Sequence, residues 1–249
     1  MSKTIAVVGC KGGIGKSSMV QNLGYELSQT GSKILLCDFD PQSNLTLACG
    51  IDPSIERETI YHAMHEPSRA KEMILSLPYG MDILPSTLDL AMAEQQFAGR
   101  FDRNDMLKNV IAPLQALYDY ILIDSPPSLG FFSFCALNCA TEAIIPLQPQ
   151  PFAYRMVAPT MELVELVNKS KGGLIVRAIV LTMYDRRVSL TESIEEVARQ
   201  TYGDLVAKTV IPTNIAVSEA TLDGTPVALY SATSAGAQAY KALCEELYG

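Results

Sequence analysis

The stretch Gly9-Cys10-Lys11-Gly12-Gly13-Ile14-Gly15-Lys16-Ser17-Ser18 decides how this chain folds. It lies between an apolar run at residues 5–8 and an amphipathic helical pattern. The order of strand, glycine-rich loop and helix is typical of a phosphate-binding loop. Glycines let backbone N–H groups surround an anion, and the positive end of the following helix points to the same anion.

The side chains of this loop suggest specific roles. We expect Lys16 to reach the outer phosphates of a nucleotide and Ser17 to bind Mg²⁺. The hydroxyl of Ser18 adds a further donor at the start of the helix. The loop residues assigned to nucleotide binding are Gly12, Gly13, Ile14, Gly15, Lys16, Ser17 and Ser18.

The loop also departs from the usual pattern. Cys10 stands where the pattern has its first glycine, and a second lysine, Lys11, precedes Gly12. One lysine is enough to bind a nucleotide in its own pocket. The second lysine therefore needs a separate explanation.

The composition favours a folded protein of the cytoplasm. The chain has 249 residues, of which 48% are hydrophobic, so it can bury a full core. It contains neither an apolar run of about 18 residues nor a signal-peptide pattern, so we expect no membrane span and no secretion. The six cysteines show no paired Cys-x-x-Cys spacing, which favours reduced thiols. The net charge of −8 is unfavourable for strong nucleic-acid binding, although a local basic face is compatible with it.

Apolar runs alternate with helical patterns along most of the chain. Strands are predicted at residues 4–8, 33–38, 81–84, 120–124, 142–147, 174–182 and 206–211, and helices at residues 16–29, 56–65, 103–117, 131–140, 154–170, 189–201 and 234–247. This order predicts an α/β fold, a doubly wound, mostly parallel sheet flanked by helices. No linker or repeat divides the sequence, so we expect a single domain over residues 1–249.

Three predicted strand ends carry side chains suited to chemistry, and ligands of such sheets bind beyond those ends. The first is the glycine-rich loop, the second carries Asp38 and Asp40, and the third ends in Asp124. An aspartate after an apolar strand is the usual Mg²⁺ partner in a P-loop enzyme. We predict a metal site of Ser17, Asp124 and Asp40, with Asp40 also orienting the attacking water. Asp38 has two interpretations, local structure or support of the metal.

Two further pairs have the spacing of metal ligands. Cys135 and Cys139 are four residues apart on a helical pattern, but buried core thiols are the preferred interpretation. His62 and His65 are three residues apart, and a solvated helix face is preferred for them.

Two other segments remain open between a structural and a functional interpretation. Arg186 and Arg187 follow a strand end and are either plain surface charges or phosphate contacts. The side chains of Phe131, Phe132 and Phe134 are either core or part of an apolar edge that faces a partner.

In its ordered motifs the chain resembles the ParA-type (Soj-like, MinD/ParA) P-loop ATPases with a deviant Walker A loop. The resemblance spans essentially the whole sequence. The motifs that carry it lie at residues 11–17 (KGGIGKS), 38–44 (DFDPQSN), 123–128 (IDSPPS), 144–148 (IIPLQ), 181–185 (LTMYD) and 210–214 (VIPTN).

The resemblance implies a nucleotide cycle. ATP and Mg²⁺ bind, two chains form a face-to-face homodimer, and slow hydrolysis releases it. Lys11 would be the signature lysine that crosses to the partner's nucleotide, so that Lys11, Lys16 and Asp40 are the catalytic residues. Met183 and Pro212 are assigned to nucleotide binding through the motifs that contain them.

The resemblance further implies plasmid or chromosome partition. Such an ATPase acts in the cytoplasm, at the nucleoid, with a ParB-like DNA-bound partner that stimulates hydrolysis. Its relatives tend to have arginines at residues 211–216, where this chain has Thr213 and Ala216. Non-specific DNA binding would therefore depend on Arg186, Arg187 and Lys208.

Two alternatives to partition follow from the sequence. Residues 151–156 also differ from the family's usual run, so a scaffold that positions a protein cargo without DNA is the main alternative. An iron-protein-like reductase would need cysteines placed to share a cluster between subunits. From the loop's position near Met1 we expect no N-terminal DNA-reading domain, and from the acidic residues 241–249 we expect no membrane cycling.

Overall fold

The computed structural model describes residues 2–151 and 153–249. Its strands are β1 (Lys3–Val7), β2 (Ile34–Asp38), β3 (Leu75–Ser76), β4 (Asp82–Leu84), β5 (Tyr120–Asp124), β6 (Glu142–Leu147) and β7 (Ile175–Leu181). Its α-helices are α1 (Lys16–Ser28), α2 (Asn44–Ala48), α3 (Ile60–His65), α4 (Ala93–Gln96), α5 (Met106–Ile111), α6 (Phe131–Cys139), α7 (Val157–Lys171), α8 (Ser189–Tyr202), α9 (Ile215–Leu222), α10 (Val227–Tyr230) and α11 (Ala235–Tyr248). Turns of 3-10 helix lie at Pro67–Met73, Leu88–Met92, Arg103–Asp105, Ala112–Leu114, Ala153–Met156 and Gly203–Leu205.

The seven strands form one sheet in the order β3-β4-β2-β5-β1-β6-β7. Every pairing is parallel except that of β3 with β4 at the edge. The predicted α/β class and the mostly parallel sheet are therefore confirmed. Because β1 lies between β5 and β6, the loop after β1 and the end of β5 meet at the same edge of the sheet.

Helices cover both faces of this sheet. Ile5 and Val7 of β1 pack into one buried cluster, which also includes residues of α1 and α11. Ala6 and Val8 pack into a second cluster, which includes residues of α5, α6 and α7. Successive side chains of a strand point to opposite faces, so this alternation places the central strands between two helical layers.

The strand predicted at residues 206–211 is wrong. The segment lies beside β7 but forms no continuous ladder with it among the described residues: one isolated bridge pairs Val206 with Ile179, and another pairs Pro212, just beyond the segment, with Tyr184. The N–H groups of Ala207 and Ile211 donate to the carbonyls of Ile179 and Leu181, at 2.9 and 2.8 Å. The backbone N–H groups of Lys208 and Thr209 donate instead to the carboxylate of Glu246 on α11, at 2.7 and 2.8 Å. A side chain of α11 thus takes two N–H groups between Ala207 and Ile211, and the pairing with β7 is interrupted there.

Two predicted helices are shorter than expected. The pattern over residues 56–65 gives a helix only from Ile60, because Thr59 forms the capping box that begins α3. The pattern over residues 103–117 gives α5 between two 3-10 turns, and Pro113, in the second turn, lacks the backbone donor that a longer α-helix requires.

Candidate functional site

The glycine-rich loop joins β1 to α1 in a conformation that depends on two glycines. Gly13 and Gly15 have φ angles of 71° and 84°, in the left-handed region that side chains with a Cβ rarely adopt. Gly15 directly precedes α1 as its N-cap residue and makes no side-chain cap. The first N–H groups of a 13-residue helix therefore point toward the loop, as an anion requires.

Lys16 lies buried beneath this loop. Its Nζ donates to the carbonyl oxygen of Lys11 at 3.1 Å. Burial lowers the pKa of Lys16, while the nearby carboxylates of Asp124 and Asp40 oppose the shift. The ammonium is thus held at the base of the loop by the loop's own backbone.

Ser17 and Asp124 form the second element of the site. The Ser17 hydroxyl donates to Asp124 Oδ2 at 2.5 Å. Asp124 is fully buried, and in the described part of the chain its Oδ1 has no hydrogen-bond partner. Burial, followed by the charge of Asp38, raises the pKa of Asp124 well above its usual range. A buried carboxylate oxygen without a donor, beside a hydroxyl, fits a bound cation, which would supply the missing positive charge.

The two aspartates after β2 have different surroundings. Asp38 is fully buried and accepts hydrogen bonds from the backbone N–H and hydroxyl of Thr46, at 2.8 and 2.6 Å. Burial raises its pKa to about 6, against the opposing effect of these hydrogen bonds. Asp40 instead lines the cleft beside the loop, where its Oδ1 accepts the backbone N–H of Gln42 at 2.9 Å. Asp38 therefore has hydrogen-bond partners within the fold, and Asp40 faces the space for a ligand.

This arrangement predicts that Thr46→Val destabilises the protein by about 2–4 kcal/mol, measured by urea unfolding. The Thr46 hydroxyl donates to Asp38 and accepts the backbone N–H of Ser86 at 3.0 Å. Valine has the same shape but leaves both buried groups with one partner fewer. Thr201→Val, which removes an exposed hydroxyl on α8, is the matched control and should change stability by less than about 0.5 kcal/mol. Equal effects of the two substitutions would contradict the role given to Thr46.

A cleft of about 560 Å³ opens beside the loop. Among the predicted residues it contains Gly12, Gly13, Gly15, Lys16, Ser17, Ser18, Asp40 and Met183. Sequence reasoning missed other residues of the cleft wall, namely Gln42, Asn44, Leu47, Thr221 and Leu222. They lie on or beside α2 and α9, two short helices whose patterns were too brief to predict.

A smaller cavity of about 90 Å³ continues from the cleft and brings Met183 and Pro212 together beside Gly15. Met183 has a φ of 50°, and the preceding Thr182 donates its hydroxyl to the Ile14 carbonyl at 2.9 Å. Asn214 also lines this cavity, and its buried Oδ1 has no partner within the described residues. Its amide was not singled out from the sequence, although it ends one of the matching motifs.

Two residues of the glycine-rich loop do not line this cleft with their side chains. The side chain of Ile14 is buried and lines a separate, narrow cavity instead of the cleft. The Lys11 ammonium donates to the side-chain oxygens of Gln148 and Gln150. Lys11 therefore does not line the cleft of its own chain.

The residues predicted for DNA are not brought into one patch. Arg186 and Arg187 line a cavity of about 620 Å³ with Gln238 of α11. Arg187 is 88% exposed, but its guanidinium is paired with Asp185 at 2.7 Å. The backbone of Lys208 lies against Glu246 of α11. Glu246 is eight residues after Gln238, which places it about 12 Å along the helix from the arginine cavity.

The remaining candidate metal ligands have structural roles. Cys135 and Cys139 are buried, and burial raises the pKa of both thiols. His62 accepts the backbone N–H of Thr59 at 3.2 Å as part of the α3 cap, and His65 packs against Phe97. Outside Phe152 and the first residue, histidine, cysteine, aspartate and glutamate form no cluster of three placed to hold a metal.

Two segments from the sequence analysis remain, the three phenylalanines at residues 131–134 and the run 151–156 that differs from the family's usual sequence. Phe131 and Phe132 are buried in the core and Phe134 packs partly against it. Phe152, in the segment 151–156, lies outside the described residues. Among residues 2–151 and 153–249, no helix combines the length and the apolar character that crossing a bilayer requires.

The fold and the site together define a P-loop nucleotide-binding protein of the MinD/ParA type. A family model described as an AAA domain matches residues 2–176. The chain is 34% identical to sporulation initiation inhibitor protein Soj of Bacillus subtilis (strain 168), over 99% of this chain and 98% of that protein. It belongs to the Soj/ParA family of partition ATPases.

Two further comparisons agree with this assignment. The chain is 36% identical to chromosome partitioning protein ParA of Caulobacter vibrioides (strain NA1000 / CB15N), over 98% of this chain and 93% of that protein. The crystal structure of cobyrinic acid a,c-diamide synthase from Mycobacterium smegmatis, with bound ATP analog and magnesium, has a TM-score of 0.88 and 28% identity. That match covers 98% of this chain and 93% of the other.

Proposed function

We propose that this protein is an ATP-dependent switch that forms a sandwich homodimer around Mg-ATP, hydrolyses it slowly and serves plasmid or chromosome partition. The observation that carries the proposal is the buried pair of Ser17 and Asp124, in which one carboxylate oxygen has no partner among the described residues and the carboxylate interacts with the charge of Lys16. Ser17 lies in the first turn of α1. This arrangement suits a magnesium ion and a chain of phosphates. A structural relative holds an ATP analog and magnesium, which supports the same ligands here.

The side chains of the cleft divide the chemistry between them. Ser17 and Asp124 would hold magnesium, with Asp40 near enough to share in its environment. Bound magnesium would draw negative charge from the phosphate oxygens. Lys16 stabilises the charge that develops on the transferred phosphate, and Asp40 orients the attacking water and accepts its proton.

The proposed dimer explains why the chain has two lysines in one loop. Lys11 does not line its own cleft, and the two amides that bind it are neutral, so its charge is left for the nucleotide of a second chain. The rim of the cleft also carries Leu47 and Leu222, which are 50% and 87% exposed. Apolar side chains at the edge of an open cleft favour coverage by another protein surface. Hydrolysis is then slow in the monomer because the second cation arrives only with the partner.

In the partition cycle we propose, the ATP-bound dimer acts in the cytoplasm on the nucleoid, and a ParB-like DNA-bound partner stimulates hydrolysis. The names of the relatives support partition. One observation favours the alternative of a scaffold for a protein cargo. Arg187 is neutralised by Asp185, and Lys208 lies apart from the arginine pair, so the basic surface is weak.

DNA retention against nucleotide state and salt distinguishes these two functions. For partition, we expect retention only with ATP, with an affinity that falls as salt rises. Replacing both Arg186 and Arg187 by alanine should lower the slope of log affinity against log salt by about two, because each phosphate contact contributes about one. Arg100→Ala is the matched control, because Arg100 is an exposed arginine paired with an aspartate two residues away, as Arg187 is. A parent protein that ATP does not retain on DNA at low salt would favour the scaffold.

A further inference from the structure

The ammonium of Lys11 is already bound within its own chain. Its Nζ donates to Gln150 Oε1, the closer partner, and lies 3.5 Å from Gln148 Oε1. Both acceptors come from the segment that follows β6, more than 130 residues further along the chain. The lysine that points out of its own cleft is therefore held in one place by two neutral amides.

The backbone after β6 explains why two glutamines meet one lysine. The N–H of Gln150 donates to the carbonyl of Gln148 at 2.9 Å, which closes a three-residue turn around Pro149. Proline restricts φ at the centre of this turn, and Pro149 is buried, so the turn is fixed to the core. Such a turn directs both amide side chains toward the glycine-rich loop.

A second contact fixes the neighbouring residue of the loop to the same region. The Cys10 thiol donates to the Met156 carbonyl at 3.3 Å and lies 3.6 Å from the Met156 sulfur. Cys10, Lys11, Gln148 and Met156 line one narrow apolar cavity. Cys10 stands where the usual pattern has a glycine, and its side chain supplies a contact that glycine lacks.

We propose that Gln148 and Gln150 are positioning residues that hold Lys11 in its own chain and compete with its use at the partner's nucleotide. The competition rests on the proposed dimer, whereas the holding contact does not. A neutral amide binds an ammonium less strongly than a carboxylate does, so a phosphate chain of the partner can take the lysine over. The segment after β6 thereby sets how readily the monomer releases Lys11.

Two sets of substitutions change the strength of the contact between Lys11 and the two glutamines in opposite directions. Replacing Gln148 and Gln150 together by alanine removes both acceptors, and Gln150→Glu converts the closer acceptor into a carboxylate of nearly the same shape. With a non-hydrolysable ATP analogue and magnesium, we expect the alanine pair to lower the protein concentration for half-dimerisation about fivefold. We expect Gln150→Glu to raise it by about the same factor. Sedimentation velocity measures both shifts, and Gln95→Ala, at an exposed glutamine on α4, is the control.

A second measurement does not require a dimer. Acylation of Lys11 in the nucleotide-free protein, followed by mass spectrometry against exposed Lys169 as internal reference, should become about fivefold faster in the alanine pair. Unchanged labelling would overturn the holding contact. Faster labelling with an unchanged dimerisation midpoint would overturn the competition. If no variant dimerises and the parent does not either, the dimer switch is wrong, and labelling alone decides the contact.

Discussion

Lys16→Ala is expected to weaken nucleotide binding about 100-fold or more, which amounts to its loss at micromolar concentrations. The Lys16 ammonium is buried at the base of the loop, beside Asp124 and Asp40. Without it, the phosphates of a nucleotide would meet two carboxylates and, among the described residues, no other buried lysine or arginine. Isothermal titration calorimetry with ATP and magnesium measures the change.

Two observations keep this experiment interpretable. The loop remains attached to the sheet without Lys16, because Thr182 donates its hydroxyl to the Ile14 carbonyl at 2.9 Å. Circular dichroism of the variant should therefore match the parent. Lys169→Ala, an exposed lysine on α7, is the matched control and should leave the affinity unchanged. Unchanged affinity in Lys16→Ala would overturn the assignment of the site.

Local sequence patterns were enough to predict most strands of the sheet and the central residues of the site. The apolar runs that became β1, β2 and β5 are short and continuous, and each is followed by residues that bear chemistry. Parallel strands place those ends at one edge, so the meeting of Ser17 with Asp124 follows from the order of the elements. The spacing of the glycines gave the position of Lys16 for the same reason.

Features that depend on contacts between segments far apart in the sequence could not be predicted from local patterns. Residues 206–211 have the composition of a strand, but Glu246 of α11 takes two of their N–H groups. The sequence also left Asp38 open between structure and metal. The structure adds a structural partner, Thr46 on α2, whose hydroxyl donates to the carboxylate. A short helix of this kind has too little periodicity to be recognised.

The position of Lys11 shows the same limit more clearly. The sequence marked the lysine as unusual, and the resemblance gave it a partner in another chain. Its neighbours within the chain are Gln148 and Gln150, and no local pattern connects them to the loop. The pairing exists because β6 lies beside β1 in the sheet, so the residues after β6 are adjacent to the loop after β1.

Asp40→Ala is expected to leave ATP binding intact, to lower hydrolysis about 100-fold or more and to trap the ATP-bound dimer. The Asp40 carboxylate lines the cleft and accepts a hydrogen bond from the Gln42 backbone, and it bonds neither Lys16 nor Ser17 in the described part of the chain, so its removal leaves both in place. A dimer that forms with ATP and separates only after hydrolysis must then persist. Calorimetry, phosphate release and light scattering measure the three quantities on one preparation.

Asp38→Ala is the discriminating control, because the two aspartates are two residues apart and both follow β2. Asp38 receives hydrogen bonds from Thr46 and from the backbone N–H of Asp40, at 3.2 Å for the latter. Its loss should therefore lower the urea midpoint, whereas Asp40→Ala should leave the midpoint nearly unchanged. If Asp40→Ala binds ATP but stays monomeric at micromolar protein, association does not depend on the bound triphosphate and the switch is wrong. If it dimerises and hydrolyses ATP at the parent rate, the dimer stands and another residue must orient the water.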